Sequence, residues 1–267
     1  MAEPLIDLEA YLDEALARQQ KENNREYVGM SGVGSCVRQQ VLDGLHNITH
    51  DAQWAPEPFK PETLRLFNEG NVSERDLVER LEAGGLKVQR AQETVNYWKP
   101  SPVPVQGHVD LEVEVPTKDG RYWAVIEMKA IQYAAKKVAQ HGSIAAAWPH
   151  YAAQLACYMR GRDRRYGCIL IKDRASYTLE ILQEWYELVG EYEADHVTDT
   201  PLRLVRYCDD GEGETVLYVS VLEQRLDHVA DHVARREPGP REYDPANSKV
   251  WQCRYCQHRQ QCLALGE

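Results

Sequence analysis

The sequence holds no run of apolar residues approaching the ~20 that a helix needs to cross a bilayer, so no membrane partner is expected. Its acidic amino terminus lacks the basic and apolar stretches of a signal peptide, which predicts a cytoplasmic location. It has no internal repeat and no low-complexity segment, and with 43% hydrophobic residues over 267 positions it has the makings of a real core, which excludes disorder. Positive charge is also in deficit. Lys and Arg number 31 against 42 Asp and Glu, and a net charge of -11 is not the basic footprint of a protein held mainly by phosphates. The seven cysteines are an odd set without an export signal, which argues against a disulfide framework and for reduced thiols or metal ligation.

What the sequence does contain is organised around two stretches, Gly107-His108-Val109-Asp110-Leu111-Glu112-Val113-Glu114-Val115 and Tyr122-Trp123-Ala124-Val125-Ile126-Glu127-Met128-Lys129. The first alternates apolar and polar residues with the period of a strand, and the intervening segment carries the Asp119-Gly120 signal of a hairpin. Placing Pro116 opposite Arg121 pairs Val115 with Tyr122, Val113 with Ala124, Leu111 with Ile126 and Val109 with Met128, all apolar on one face. A slip by one residue destroys that match. The same register sets Asp110 opposite Glu127 at ~5 Å between β-carbons, with Lys129 on their face. Opposed carboxylates repel unless a cation joins them, and hard oxygen ligands suit Mg²⁺ or Mn²⁺. The alternative is a solvated acidic sheet face.

The pattern Gly107-His108-Val109-Asp110 followed by Ile126-Glu127-Met128-Lys129 resembles the core of the PD-(D/E)xK nuclease superfamily, whose members cut phosphodiester bonds with metal held by the acidic pair. The resemblance implies an α/β fold, a mixed sheet flanked by helices with a restriction-endonuclease-like core. Three further motifs extend it. Glu74, on a helix expected over residues 64–83, stands where lambda-exonuclease relatives carry Glu and RecB-like nucleases carry His; it is either a further metal ligand or an exposed helix acid. Gln154 and Tyr158, four apart on one helical face, match the Gln-x-x-x-Tyr motif that follows the lysine strand in RecB-like nucleases. The carboxyl end carries Cys253, Cys256 and Cys262 at Cys-x2-Cys-x5-Cys, a set that needs a fourth ligand. Cys36, in the small-residue loop Ser31–Cys36, is the best candidate.

One cysteine before the core and three after it resemble the iron–sulfur branch of the RecB-like nucleases, which includes the CRISPR-associated RecB-like exonucleases and the AddB nuclease domain. The resemblance implies a [4Fe–4S] cluster on these four residues. Zn²⁺ is the alternative, and His258 a substitute ligand. Cys157, Cys168 and Cys208 are expected to be buried small hydrophobes.

The resulting expectation is a Mg²⁺- or Mn²⁺-dependent DNA exonuclease, phage- or host-encoded, that acts on DNA with free ends or single strands in recombination, repair or CRISPR adaptation, with proteins of those systems as partners. Asp110, Glu127, Glu74 and the Met128 carbonyl would hold metal, Lys129 would orient or deprotonate water and offset developing charge, and Gln154 and Tyr158 would position the substrate or Lys129. DNA would meet Lys136, Lys137, Arg160, Arg162, Arg164 and Arg165. Rival readings are a non-cutting DNA-binding or assembly subunit and a zinc-stabilised protein-interaction domain. The expected organisation is a helical segment over 1–63, a nuclease core over 64–200 and a cysteine-bearing segment over 201–267, integrated as one domain. Strands are expected over 86–97, 167–171, 176–182 and within 202–222, with helices over 4–22, 36–45, 185–196 and 222–236. The Ala-rich stretch 133–159 should be helical, broken near Gly142 and Pro149.

Overall fold

A computed structural model of the chain describes residues 8–19, 25–90, 93–117, 120–175, 180–190, 201–208, 213–247 and 249–266. The chain opens with α1 (Leu8–Gln19), a short β1 (Val28–Gly29), α2 (Val37–Thr49) and the 23-residue α3 (Pro61–Ala83). Pro61 starts α3 in the first-turn position where a missing N–H costs nothing, and Gly84-Gly85 ends it, Gly85 taking φ +86°. Then come β2 (Lys87–Arg90), β3 (Thr94–Asn96), β4 (Val105–His108), β5 (Leu111–Thr117) and the long β6 (Gly120–Ile131). The Ala-rich stretch forms α4 (Ala134–His141), α5 (Ile144–Ala147) and α6 (Pro149–Gly161), broken where Gly142 and Pro149 break the helical pattern. The remainder is β7 (Tyr166–Asp173), β8 (Ile181–Val189), β9 (Arg203–Tyr207), β10 (Gly213–Tyr218), α7 (Val219–Arg235), α8 (Trp251–Arg254) and α9 (Arg259–Leu265).

Among the described residues the strands form a seven-stranded sheet in the order β10-β9-β8-β7-β6-β5-β2 and a three-stranded sheet in the order β1-β4-β3. The large sheet is mixed: β6 runs parallel to β7 through the α4–α6 crossover, and its other neighbours are antiparallel. Helices cover both faces. Leu77 and Val78 of α3 pack on Leu111, Val113, Ala124, Ile126 and Met128, while Leu155 and Met159 of α6 share the opposite core with Val125, Ile169 and Ile171. Burial on both faces explains why β6 is buried without interruption from Ala124 to Met128.

The hairpin register is the one the apolar pattern dictates, with Leu111 opposite Ile126, Val113 opposite Ala124, Val115 opposite Tyr122 and Pro116 opposite Arg121. Thr117 also pairs with Gly120, and the turn residues Lys118 and Asp119 lie outside the described residues.

Four expectations are corrected. The stretch 107–115 is not one strand: it leaves one sheet at His108 and enters the other at Leu111. The Asp110 carboxylate accepts the Met128 N–H at 2.8 Å, taking the hydrogen bond that a continuing strand would have made. Val109 therefore does not face Met128, and Asp110 is not laddered against Glu127. The strand expected over 86–97 divides at the same level into β2 and β3, with residues 91–92 outside the described set. Trp185 to Val189 is strand rather than helix, because β7 offers it an antiparallel partner through Trp185–Cys168 and Tyr186–Gly167; of the predicted helix, residues 191–196 lie outside the description. The strand foreseen over 176–182 starts at Ile181 as part of β8, residues 176–179 being outside as well.

Gly107 shows how closely these layers meet. A β-carbon there would stand 2.4 Å from the Tyr158 ring, a contact that forces backbone or ring to shift. Gly107→Ala is expected to cost roughly 1–3 kcal/mol by overpacking and to lower the melting temperature by roughly 5 °C, read by calorimetry.

Candidate active site

The break at Asp110 places its carboxylate at the end of β5, beside the middle of β6. Lys129 joins the two strands: its ammonium is hydrogen-bonded to Glu127 and to the Met128 carbonyl at 3.1 Å, and lies 3.7 Å from Asp110. Glu127 is not a solvent-facing ligand, as the hairpin pattern suggested, but fully buried. Among the described residues its second oxygen, Oε2, has no hydrogen-bond partner.

Burial, opposed by the Lys129 ammonium and reinforced by Asp110, pushes the Glu127 carboxyl up to about 8. Burial would discharge Lys129, but Glu127 and Asp110 outweigh it and hold the ammonium. The lysine thus stands where a cation is needed between two acids. An oxygen-rich donor set around such a charge, with one buried oxygen unpartnered, fits a hard divalent ion. Among the described residues, no group of three or more His, Cys, Asp or Glu closes on a single metal point.

Glu74, from the middle of α3, faces the same site. Burial and the nearby Asp110 raise its carboxyl, and Lys129 works against that. Together with Asp110, Met128 and Lys129 it lines a solvent-open cleft of about 980 Å³. Gln154 and Tyr158 lie on the face of α6 turned to the sheet, both buried, with the Gln154 amide donating to the Tyr158 hydroxyl at 3.2 Å. The charge of Glu127 reaches that hydroxyl and, after burial, helps raise its pKa. Sequence reasoning missed two residues of the cleft. Tyr151 carries the Lys129 ammonium 5.4 Å from its ring centre, and Arg174 also lines the cleft. Tyr151 stands three residues before Gln154, so the helical spacing already put it on the active face.

The basic residues divide. Arg162 bonds Glu112 at 2.5 Å and Glu93 at 2.6 Å, Arg164 bonds Glu112 at 2.8 Å, Arg165 bonds Glu187, and Arg160 lies 5.5 Å over the Trp98 ring. The helical rise puts this group roughly 14 Å along α6 from Tyr151, so the fold does not bring it to the cleft. Lys136 and Lys137, on α4, have no carboxylate within ion-pair distance among the described residues.

The four motif cysteines line one pocket, but among the described residues no three of them are placed to hold a metal ion. Cys36 precedes α2, Cys253 is buried in α8, Cys256 follows that helix and Cys262 lies on α9; the pocket they share is a small one, with a cavity volume of about 20 Å³. Burial, then the neighbouring Cys36 and Cys262, raise the Cys253 thiol, and burial pushes Cys256 up to about 12. His258 is occupied elsewhere, its two ring nitrogens facing Asp43 at 2.8 Å and Gln261. Cys157 and Cys168 are buried as expected, whereas Cys208 is partly exposed past the end of β9. Polar bonds join the chain ends beside the thiols. Arg38 donates to the carbonyls of Gly239 and Gly266 at 2.9 Å each, Arg241 to those of Cys262 and Gly266, and the Val37 N–H to Glu242.

No protein-family model matches the chain, and no curated protein matches it. Among solved structures it is similar to SSO0001, with 12% identity and a TM-score of 0.49 over 98% of this chain and 99% of that one. It is also similar to an alkaline exonuclease, LHK-Exo, from Laribacter hongkongensis, with 9% identity and a TM-score of 0.48 over 84% and 93% of the two chains. LHK-Exo in complex with dAMP gives 10% identity and a TM-score of 0.46 over 80% and 90%. No described helix is long and apolar enough to cross a membrane.

The buried acid gives the site a stability signature. Glu127 holds its proton from the ordinary 4.5 up to about 8 in the folded chain, so between those pH values the folded state binds more protons than the unfolded one, and stability falls as pH rises. Glu127→Gln removes that loss. In EDTA the melting temperature of Glu127→Gln relative to the parent is expected to climb by roughly 5 °C between pH 5 and pH 8; a constant difference across that range would mean that Glu127 titrates normally.

Proposed function

We propose that the chain is a divalent-metal-dependent deoxyribonuclease, an exonuclease acting at DNA ends, built on a PD-(D/E)xK core of the RecB-like kind. The single observation that carries this reading is the meeting of Asp110, Glu127 and Lys129 on one strand junction, around a buried carboxylate oxygen that has no partner. A surface acidic patch would stay hydrated; a carboxylate wholly out of water with half its acceptors unused is a ligand held in readiness.

Asp110, Glu127 and the Met128 carbonyl would hold Mg²⁺ or Mn²⁺, with Glu74 as a further ligand from across the cleft. When bound, the ion supplies Lewis acidity to the scissile phosphate and lowers the pKa of a water. Asp110 is fixed for this by the Met128 N–H, which orients its carboxylate. Lys129 is held as an ammonium by two acids, so its part is to donate to the attacking water or the phosphate and offset developing charge, rather than to accept a proton. Gln154 locks Tyr158 against the buried side of Glu127 and keeps water out of that flank. Arg174 and Lys137 offer positive charge to the DNA backbone, whereas Arg160, Arg162, Arg164 and Arg165 serve chiefly to hold the sheet and α6.

Cys36, Cys253, Cys256 and Cys262 would hold a [4Fe–4S] cluster. What supports this assignment is that the four thiols line one pocket, since four cysteine thiolates are the ligand set of such a cluster; Zn²⁺ on the same four thiols is the alternative. The order of motifs extends the proposal to recombination or CRISPR adaptation, with proteins of those systems as partners.

Digestion of labelled single- and double-stranded DNA with Mn²⁺ tests the chemistry. Asp110→Ala, Glu127→Gln and Lys129→Ala are each expected to reduce cutting by about 100-fold or more while the fold is kept; full activity in the Asp110 or Glu127 variant would sink the metal assignment. Iron content and visible absorbance of seven Cys→Ser variants test the cluster. Replacing Cys36, Cys253, Cys256 or Cys262 is expected to give colourless protein, while replacing Cys157, Cys168 or Cys208 leaves the colour.

A further inference from the structure

Four aromatic rings meet beside the candidate active site: a path runs from Tyr151 through His150 to Trp251, with the buried Trp148 packed against Tyr151 as a side branch. The Lys129 ammonium lies 5.4 Å from the centre of Tyr151. Tyr151 stacks on Trp148 at 6.3 Å with 28° between planes and touches His150 at 4.2 Å. His150 in turn stands 6.1 Å from Trp251, which opens α8 two residues before Cys253. These rings line a groove of about 1390 Å³ distinct from the acidic cleft, and Tyr151 belongs to the walls of both. The outer end is open: Trp251 is 56% and Tyr255 76% exposed.

Gly34 packs so closely on His150 that a β-carbon would stand 2.4 Å from its backbone, which ties the Cys36 loop to the start of α6. The groove's charge is equally telling. In a chain with 42 acidic residues, no carboxylate is among the described residues that line it, and Lys137 stands 4.6 Å from the Trp148 ring. Burial, with Lys137 and Lys129 nearby, pushes His150 down to about 4, so its ring is neutral at ordinary pH and presents an aromatic face. Planar rings in file, a cation beside them, no acid, and continuity with a phosphodiester-cleaving centre are the chemistry that takes unpaired bases along a sugar–phosphate chain. A duplex keeps its bases stacked inside and cannot use the rings.

We propose that this groove is a nucleobase-stacking subsite that holds the single-stranded arm of the DNA whose scissile bond lies at Asp110 and Glu127. It deepens the nuclease reading and takes its direction from it, but binding can be measured apart from cutting. The probes are a fluorescein-labelled oligothymidylate, an abasic strand of the same length and a duplex of the same length, followed by anisotropy with the full chain in EDTA. The oligothymidylate is expected to bind about 10-fold or more tightly than either the abasic strand or the duplex. Trp251→Ala with Tyr255→Ala should erase that advantage, and Trp251→Phe should keep it. Equal binding of abasic and natural strands overturns the proposal without any variant, and so does an unchanged preference in the double alanine variant. Base-dependent binding in a protein that cuts nothing in Mn²⁺ would leave the subsite standing and remove the nuclease reading; cutting without base dependence would do the reverse.

Discussion

A carboxylate taken out of water must gain a cation or keep its proton, and Glu127 is wholly out of water in the buried stretch of β6. Much of the surrounding architecture can be read as a response to that constraint. Asp110 sits at a strand end, not within a ladder, because its carboxylate has replaced the backbone as partner to Met128. Lys129 folds back on its own strand to neutralise both acids. The buried Gln154–Tyr158 pair on α6 lies near enough for the Glu127 charge to act on the Tyr158 hydroxyl.

A second buried acid on the same sheet face makes the comparison sharp. Glu112 pairs across the ladder with Val125, and Val125 and Glu127 are two apart on one strand, so the two glutamates share a face. Glu112 is closed off by Arg162 and Arg164, each within hydrogen-bond distance, and two guanidinium groups leave it no spare capacity. Glu127 receives one flexible ammonium and keeps an oxygen unpartnered. Equal burial with unequal satisfaction separates a structural acid from one available to an incoming ion, and it accounts for the arginine run without invoking DNA.

How far the sequence revealed this depends on the distance over which each feature is decided. The hairpin register was legible because its apolar pairs lie within two dozen residues of one another and only one alignment satisfies them all. The breaks at Asp110 and between β2 and β3 were not, since they arise where two sheets diverge and the alternation of side chains runs straight through. Trp185 to Val189 carries no local signal strong enough to separate helix from strand; β7 decides it. The Arg160–Arg165 cluster looked like a free basic patch because its partners Glu93, Glu112 and Glu187 come from distant segments.

The aromatic file was hidden for the same reason and has the most to say about the chain's charge. His150 and Trp251 meet only because the amino-terminal loop, the start of α6 and the cysteine-bearing end are drawn onto one wall by Gly34, Arg38 and Arg241. A net charge of -11 argues against a protein held to nucleic acid mainly by phosphate contacts. It does not argue against one whose grip is carried by ring faces, because stacking needs a planar partner and a groove without acids, not an excess of cations. Trp251 and Cys253 share α8, so a group held on Cys36, Cys253, Cys256 and Cys262 would also fix where the Trp251 ring stands.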